Sequence, residues 1–210
     1  MSERDNLPVG TFSSWLLRTQ AAQGTRNGTD VPCGDCTACC TSSYFIHITP
    51  EETETLAMIP KALLFPAPGL PDGHVLMGYD EKGHCPMLTE NQCSIYEHRP
   101  QTCRNYDCRV FPAAGLSVGK EGKVRIDEQA RRWKFSFPAP LDREQHEAVQ
   151  SAAAFLGERA ELFPEGTVPS NATQLAVLAI RVHEVFLDSE GKTHRDVVDA
   201  VMKVLDLTAE

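Results

Sequence analysis

Apolar residues along the chain fall into short, separate periods rather than one continuous pattern. Phe12, Trp15, Leu16 and Thr19 recur at helical spacing, which predicts a helix over residues 11–23 stopped by Gly24. The polar stretch from Gly24 to Asp30 then reads as a loop. Tyr44 to Ile48 suits a strand. Thr49 as N-cap, Pro50 at the first helical position and Glu52 closing a capping box predict a helix running to about Ile59, which Pro60 ends. The proline-rich residues 60–73 predict a loop, Val75–Tyr79 a strand, and Asp80–Gly83 a turn. A helix opening at Pro100 is expected over Arg99–Arg104, a strand at Lys123–Ile126, and a linker at Phe137–Pro140.

The last third is patterned differently. Three amphipathic helices are predicted. The first covers residues 143–163, with Asp142 and Gln145 as its capping box. The second covers 171–187, with Leu175, Leu178, Val182 and Phe186 on one stripe. The third covers 194–206 after Thr193, burying Val197, Val198, Val201 and Leu205. The expected fold class is α+β: an irregular, metal-stabilised cysteine-cluster core with short helices and few strands, plus a C-terminal segment of about three helices. The expected domains are residues 1–140 and an acidic helical segment, 141–210.

Charge sharpens this picture. Of a net −9, residues 141–210 carry six Lys/Arg against 13 Asp/Glu, and residues 1–140 carry 14 against 16. Nucleic acid is therefore not an expected partner, because phosphate binding needs a basic surface. No apolar run approaches the roughly 20 residues of a membrane span, so no membrane association is expected. The N-terminal residues lack a basic stretch followed by an apolar one, so no secretory signal is read there. The expected location is cytoplasmic, where thiols stay reduced and clustered cysteines indicate metal binding or catalysis rather than disulfides. The partner is expected to be a protein of unknown identity.

All eight cysteines lie between residues 33 and 108. Cys33, Cys36, Cys39 and Cys40 fall within eight residues, three of them in a C-x2-C-x2-C rhythm. Such a tight loop can aim its thiolates at one point while its backbone N–H groups turn toward the sulfurs. Cys85, Cys93, Cys103 and Cys108 form a second half, spaced C-x7-C-x9-C-x4-C. Metal ligation by these eight thiolates is the leading reading; one or two could instead be buried small apolar residues. In an extended loop the side chains of Cys39 and Cys40 would point apart, so one of the pair is expected to serve a second site or none.

Structural zinc sites commonly use two short C-x2-4-C knuckles, and the second half has none. C-x2-C-x2-C is the three-ligand loop of ferredoxin-type sites, so a [4Fe–4S] iron–sulfur cluster is favoured, with zinc as the alternative. Arg99 and Arg104, with Arg109 beside them, are the candidate cofactor-facing cations that offset the anionic centre, although a solvated face would read the same way. His47, His84 and His98 flank the two halves and are weaker ligand candidates. Tyr96 and Tyr106 read as packing residues.

Cys33-Gly-Asp-Cys36-Thr-Ala-Cys39-Cys40, Gly83-His-Cys85-Pro86-Met-Leu88 and Cys93-Ser-Ile95-Tyr96-Glu-His-Arg99-Pro100-Gln-Thr-Cys103-Arg104-Asn-Tyr106-Asp-Cys108 together resemble the CxxCxxCC cysteine-cluster family, a zinc- or iron-chelating domain. The resemblance covers about residues 30–110 and implies that all eight cysteines belong to the chelating core. The flagellin lysine N-methylases share the cysteine pattern, and that more distant resemblance implies an iron–sulfur centre. Three functions compete: a redox or accessory iron–sulfur protein, a zinc-stapled structural or interaction module, and a protein lysine methyltransferase. The last requires S-adenosylmethionine, and no Gly-rich loop between a strand and a helix is visible to hold it. No cysteine and histidine read as a nucleophile with its base, so whether the protein is an enzyme stays open and no catalytic residue is named.

Overall fold

The computed structural model describes residues 6–22, 28–29, 31–118, 123–188 and 191–206. In chain order the elements are β1 (Leu7–Thr11), α1 (Phe12–Ala22), β2 (Ile46–Ile48), α2 (Thr53–Met58), β3 (Leu64–Pro66), β4 (Val75–Met77), β5 (Leu88–Thr89), β6 (Gln92–Cys93), α3 (Gln101–Asn105), α4 (Val110–Ala114), α5 (Val124–Arg132), β7 (Trp133–Ser136), α6 (Pro140–Glu158), α7 (Ala172–Val182), α8 (Glu184–Leu187) and α9 (His194–Asp206). The fold is α+β, as the pattern predicts. The expected stop at Gly24 and the loop over 24–27 lie outside the described residues.

The chain divides into two compact units, each discontinuous in sequence. One comprises Met1–Gln20, Cys108–Gly119 and Ala130–Glu210; the other comprises Ala21–Asp107 and Lys120–Gln129. Residue 140 falls within the first unit, and the second lies wholly within residues 1–140.

The first unit is helical around a dry core. Among the described residues, its one pair of strands is parallel: β1 lies on β7, with Leu7 opposite Trp133 and Thr11 opposite Ser136. A bulge between Pro8 and Gly10 interrupts the ladder. Phe12, Trp15 and Leu16 are buried as the helical spacing requires. Val149, Ala152, Leu156, Ala179, Ile180, Val182 and Val201 complete the core from α6, α7 and α9. Pro140 opens α6 at its first turn, and the Asp142 carboxylate three residues in accepts the Ala139 N–H at 3.0 Å. Its other oxygen accepts the Ser13 N–H at 2.9 Å and the Ser13 hydroxyl at 2.7 Å. These bonds from Ser13 hold the Asp142 carboxyl below its ordinary value. The expected box of Asp142 with Gln145 is not formed. Asp142 sits at the third helical position rather than before the helix, and Gln145 Oε1 is buried without a hydrogen-bond partner. The second predicted helix breaks at His183 into α7 and α8, and Asn171 caps α7 by accepting from the N–H groups of Thr173 and Gln174. Thr193 and Asp196 form a reciprocal cap at the start of α9.

The second unit carries the cysteine segments. Its antiparallel sheet has the order β2-β4-β3, with Ile46 and Leu64 both opposite Met77. Ile48, Ile59, Met77 and Ile95 form a small core, and Cys85 and Cys93 pack against it. β5 and β6 make a hairpin, Leu88 opposite Cys93, whose turn residues Glu90 and Asn91 have φ of 51° and 61°, the backbone of a tight primed turn. α2 starts three residues later than expected. Glu52 does reach back, one oxygen accepting from the Thr49 N–H at 2.9 Å, while the other takes the Gln101 N–H at 2.6 Å and ties in α3. The expected strand at Lys123–Ile126 is instead the opening of α5. Val124 and Ile126 alternate like a strand, but Val124 is exposed while Ile126 and Ala130, four residues apart, are buried.

Candidate metal centre

The first cysteine segment is shaped by its own backbone. Cys36 N–H donates to Cys33 C=O at 2.9 Å across Gly34, which takes a φ of 53°. The Ala38 N–H then points at Cys36 Sγ, 3.5 Å away. Residues 39–41 close a single 3₁₀ turn, pinned by the Thr41 hydroxyl on Thr37 C=O at 3.0 Å and the Ser42 hydroxyl on Ala38 C=O at 2.6 Å. The loop expected to be extended is therefore coiled. Cys39 and Cys40 do not point apart: their side chains share a hydrogen bond.

The second half docks onto this turn through the backbone. Cys85 N–H donates to Cys40 C=O at 2.7 Å, and Ser43 N–H to Gly83 C=O at 3.0 Å. Gly83 has a φ of 79°, and a Cβ there would stand 2.3 Å from Ser43 Oγ, so this approach demands glycine. The N–H groups of Met87 and Leu88 reach the Cys85 sulfur, and that of Ile95 reaches the Cys93 sulfur. The sequence led us to expect such donors in the first segment, where Ala38 N–H faces Cys36 Sγ; those at Cys85 and Cys93 were not foreseen.

Seven cysteines meet around one cavity of about 220 Å³: Cys33, Cys36, Cys39, Cys40, Cys85, Cys93 and Cys103. Both halves of the pattern thus contribute. Met77, Met87, the β5–β6 turn residue Asn91 and Gln92 of β6 also line it. These were missed by the sequence reading; the Cys85-Pro-Met string and the turn before Cys93 were the available signal. Among the described residues, no three His, Cys, Asp or Glu side chains stand close enough together to hold a single ion. The thiols ring a space rather than clasp a point.

Cys108 does not line this cavity. It belongs to the helical unit, where its Sγ accepts the Trp133 indole N–H at 3.2 Å. Arg99 does line the cavity, with its guanidinium 3.9 Å from the Tyr96 ring centre and donating to Tyr96 C=O at 3.1 Å. Its charge favours the thiolates of Cys33, Cys93 and Cys103. Arg104 is absent from the lining and donates instead to the carbonyls of Arg99 and Glu97. Arg109 is buried in the helical unit near the Trp133 ring. None of the three candidate histidines lines the cavity. His47 Nε2 is 2.9 Å from His74 Nδ1 in a coplanar pair, His98 faces Glu54 at 3.4 Å, and His84 is held in the turn by its N–H on Asp80.

Burial pushes the Cys33, Cys85, Cys93 and Cys103 thiols up. The Cys39–Cys40 hydrogen bond divides that pair. It raises Cys39, which keeps its proton, and holds Cys40 down to about 7. Cys40 also acts electrostatically on Cys33, Cys39, Cys85, Cys93 and Cys103, which makes it the common neighbour of the constellation. Soft thiolates in such number suit zinc or iron–sulfur chemistry rather than hard cations.

Comparison with known proteins agrees with this chemistry. Residues 32–129 match the model of the CxxCxxCC family, described as "Putative zinc- or iron-chelating domain". No curated protein and no solved structure matches the chain. Among the described residues, no helix is long and apolar enough to cross a membrane.

Proposed function

We propose that the thiols of the cysteine unit ligate an iron–sulfur cluster with a redox or accessory role, in keeping with the match of residues 32–129 to the CxxCxxCC family model. The observation that carries this reading is the single cavity onto which seven cysteines from both halves open. Its volume of about 220 Å³ far exceeds the ~10–15 Å³ that one water needs on the same measure, which supports a multi-atom centre. The C-x2-C-x2-C loop supplies three thiolates at ferredoxin spacing. The N–H donors to Cys36, Cys85 and Cys93 stabilise thiolate charge. Arg99 is the cation of this site, while Arg104 braces the loop that presents it. Bound there, an iron–sulfur cluster would supply one-electron chemistry.

A second reading, zinc, is favoured by the number of thiols. Two four-coordinate ions need eight ligand positions, and seven cysteines provide them if one thiolate is shared. Cys40, which lines the cavity together with the other six, is the candidate bridge. Anaerobic purification with metal analysis separates the two. Brown protein with matched iron and acid-labile sulfide supports the cluster; colourless protein with two zinc ions per chain supports the bridge. Protein that retains neither metal under both regimes refutes the centre itself.

A further inference from the structure

The turn that carries Cys39 and Cys40 is held from outside the cysteine segments. The Lys123 ammonium donates to Ser42 C=O at 2.9 Å and lies 3.1 Å from the centre of the Tyr44 ring. Tyr44 itself lines a hollow together with Cys39 and Cys40. An Arg125 guanidinium N–H donates to the Thr41 hydroxyl at 3.2 Å. That hydroxyl and the Thr41 N–H both donate to Thr37 C=O, each at 3.0 Å, so the same atom group closes the turn. Thr41, Ser42 and Tyr44 are thus gripped by one short piece of chain.

The grip has a fixed anchor. Lys123 C=O accepts the N–H groups of Ile126 and Asp127 at 3.0 and 3.2 Å, so its backbone is tied into the opening of α5. Ile126 is buried and seats that helix. Helix stability does not call for Lys123 and Arg125 at this end, because positive charge at a helix N-terminus opposes the dipole. Two boundaries point the same way. No cysteine follows Cys108, yet Lys120–Gln129 belongs to the cysteine unit and the family match runs on to residue 129. We propose that the start of α5 is a positioning element of the thiol site, in which Lys123, assisted by Arg125, fixes the direction in which Cys39 and Cys40 face the cavity. What those thiols hold rests on the metal reading above; the grip on their turn does not.

The test compares Lys123→Met, which keeps the stem and removes the donor and the charge, with Lys123→Arg, which keeps both. Hydrogen exchange across residues 37–44 is read by mass spectrometry on the full chain as purified, with its metal content measured. It should speed severalfold in Lys123→Met and return to the wild-type rate in Lys123→Arg. Cobalt(II), exchanged in anaerobically as a probe ion, should show a shifted sulfur-to-cobalt absorption band in Lys123→Met. Its binding there should weaken by about tenfold, as when an outer partner of a ligand is lost, and Lys123→Arg should restore both. An unchanged exchange rate in Lys123→Met overturns the grip. Faster exchange with an unchanged cobalt band, or no rescue by Lys123→Arg, overturns the claim that the grip orients the thiols. A wild-type chain that takes up no metal defeats the metal reading, and exchange across 37–44 still decides the grip. If Lys123→Met does not fold, Arg125→Met, at an exposed position, should speed the same exchange; an unchanged rate there overturns the proposal.

Discussion

Cys40 takes its character from a turn of three residues rather than from its place in the spacing. The 3₁₀ coil at 39–41 brings the neighbouring thiols into a hydrogen bond that holds Cys40 down to about 7. The sequence made all eight cysteines legible, because their segregation and spacing are one-dimensional facts. It did not make legible which way each side chain faces, and so it misjudged Cys39 and Cys40. It also treated Arg99 and Arg104 alike, although only Arg99 reaches the cavity. Cys36→Ser removes a sulfur that accepts the Ala38 N–H and lines the cavity. Metal per chain should fall by more than half, read by elemental analysis on soluble protein. Since burial keeps Cys33, Cys85, Cys93 and Cys103 protonated past their ordinary value, loading must expel protons. Metal affinity should therefore fall as pH falls, with proton release visible to an indicator dye. Asp142 gives the opposite kind of test. Its carboxyl is depressed in the fold, so its stabilisation is complete above the unfolded value of ~3.9 and is lost as pH drops through the folded one. Asp142→Asn should lower Tm by several degrees at neutral pH and flatten the acid limb of Tm against pH.

At the scale of elements, legibility followed locality. The helix over α1, the start of α3 and the last helix were readable because their signals, apolar period and cap, lie within a few residues of one another. β1 was not foreseen, since it contains Pro8 and Gly10 and pairs with β7, more than a hundred residues away. α5 was taken for a strand because two β-branched residues alternate at its start, and only tertiary burial shows the four-residue spacing. Two element-scale predictions follow from backbone and burial. Gly83→Ala should cost more than Gly69→Ala. Both positions have left-handed φ, a strain of ~1–2 kcal/mol for a residue with a Cβ, but only Gly83 also meets Ser43. Paired chemical denaturation measures the difference. Gln145→Met should raise stability by about 1 kcal/mol, because it removes a buried carbonyl oxygen that has no partner; a lower denaturation midpoint would show that this oxygen is satisfied in solution.

Across the whole molecule, the two units owe their order to different forces. The helical unit buries a broad apolar core that includes Phe12, Trp15, Phe111, Leu156 and Ile180, each side chain worth ~1.5–3 kcal/mol. The main apolar cluster of the cysteine unit has four buried residues, and its strands are short. In the proposed reading it draws the balance from metal, whose binding is folding free energy of ~10–16 kcal/mol for structural zinc. Chelation should raise amide exchange throughout Val31–Asp107 while leaving α6, α7 and α9 protected. Equal loss of protection in both sets would show that the helical unit depends on the metal as well.

The parallel pairing of β1 with β7 sets an order of assembly during synthesis. A ribosome releases the first strand long before its mate exists, so that strand must wait, unzipped, while the whole stretch bearing Cys33 to Cys103 passes through the exit tunnel. In the proposed reading, the nascent thiols can therefore bind metal before the helical unit has a completed sheet. Chains made without metal should then close the β1–β7 pair while residues 31–107 stay open to protease, detectable by limited proteolysis of the released chain.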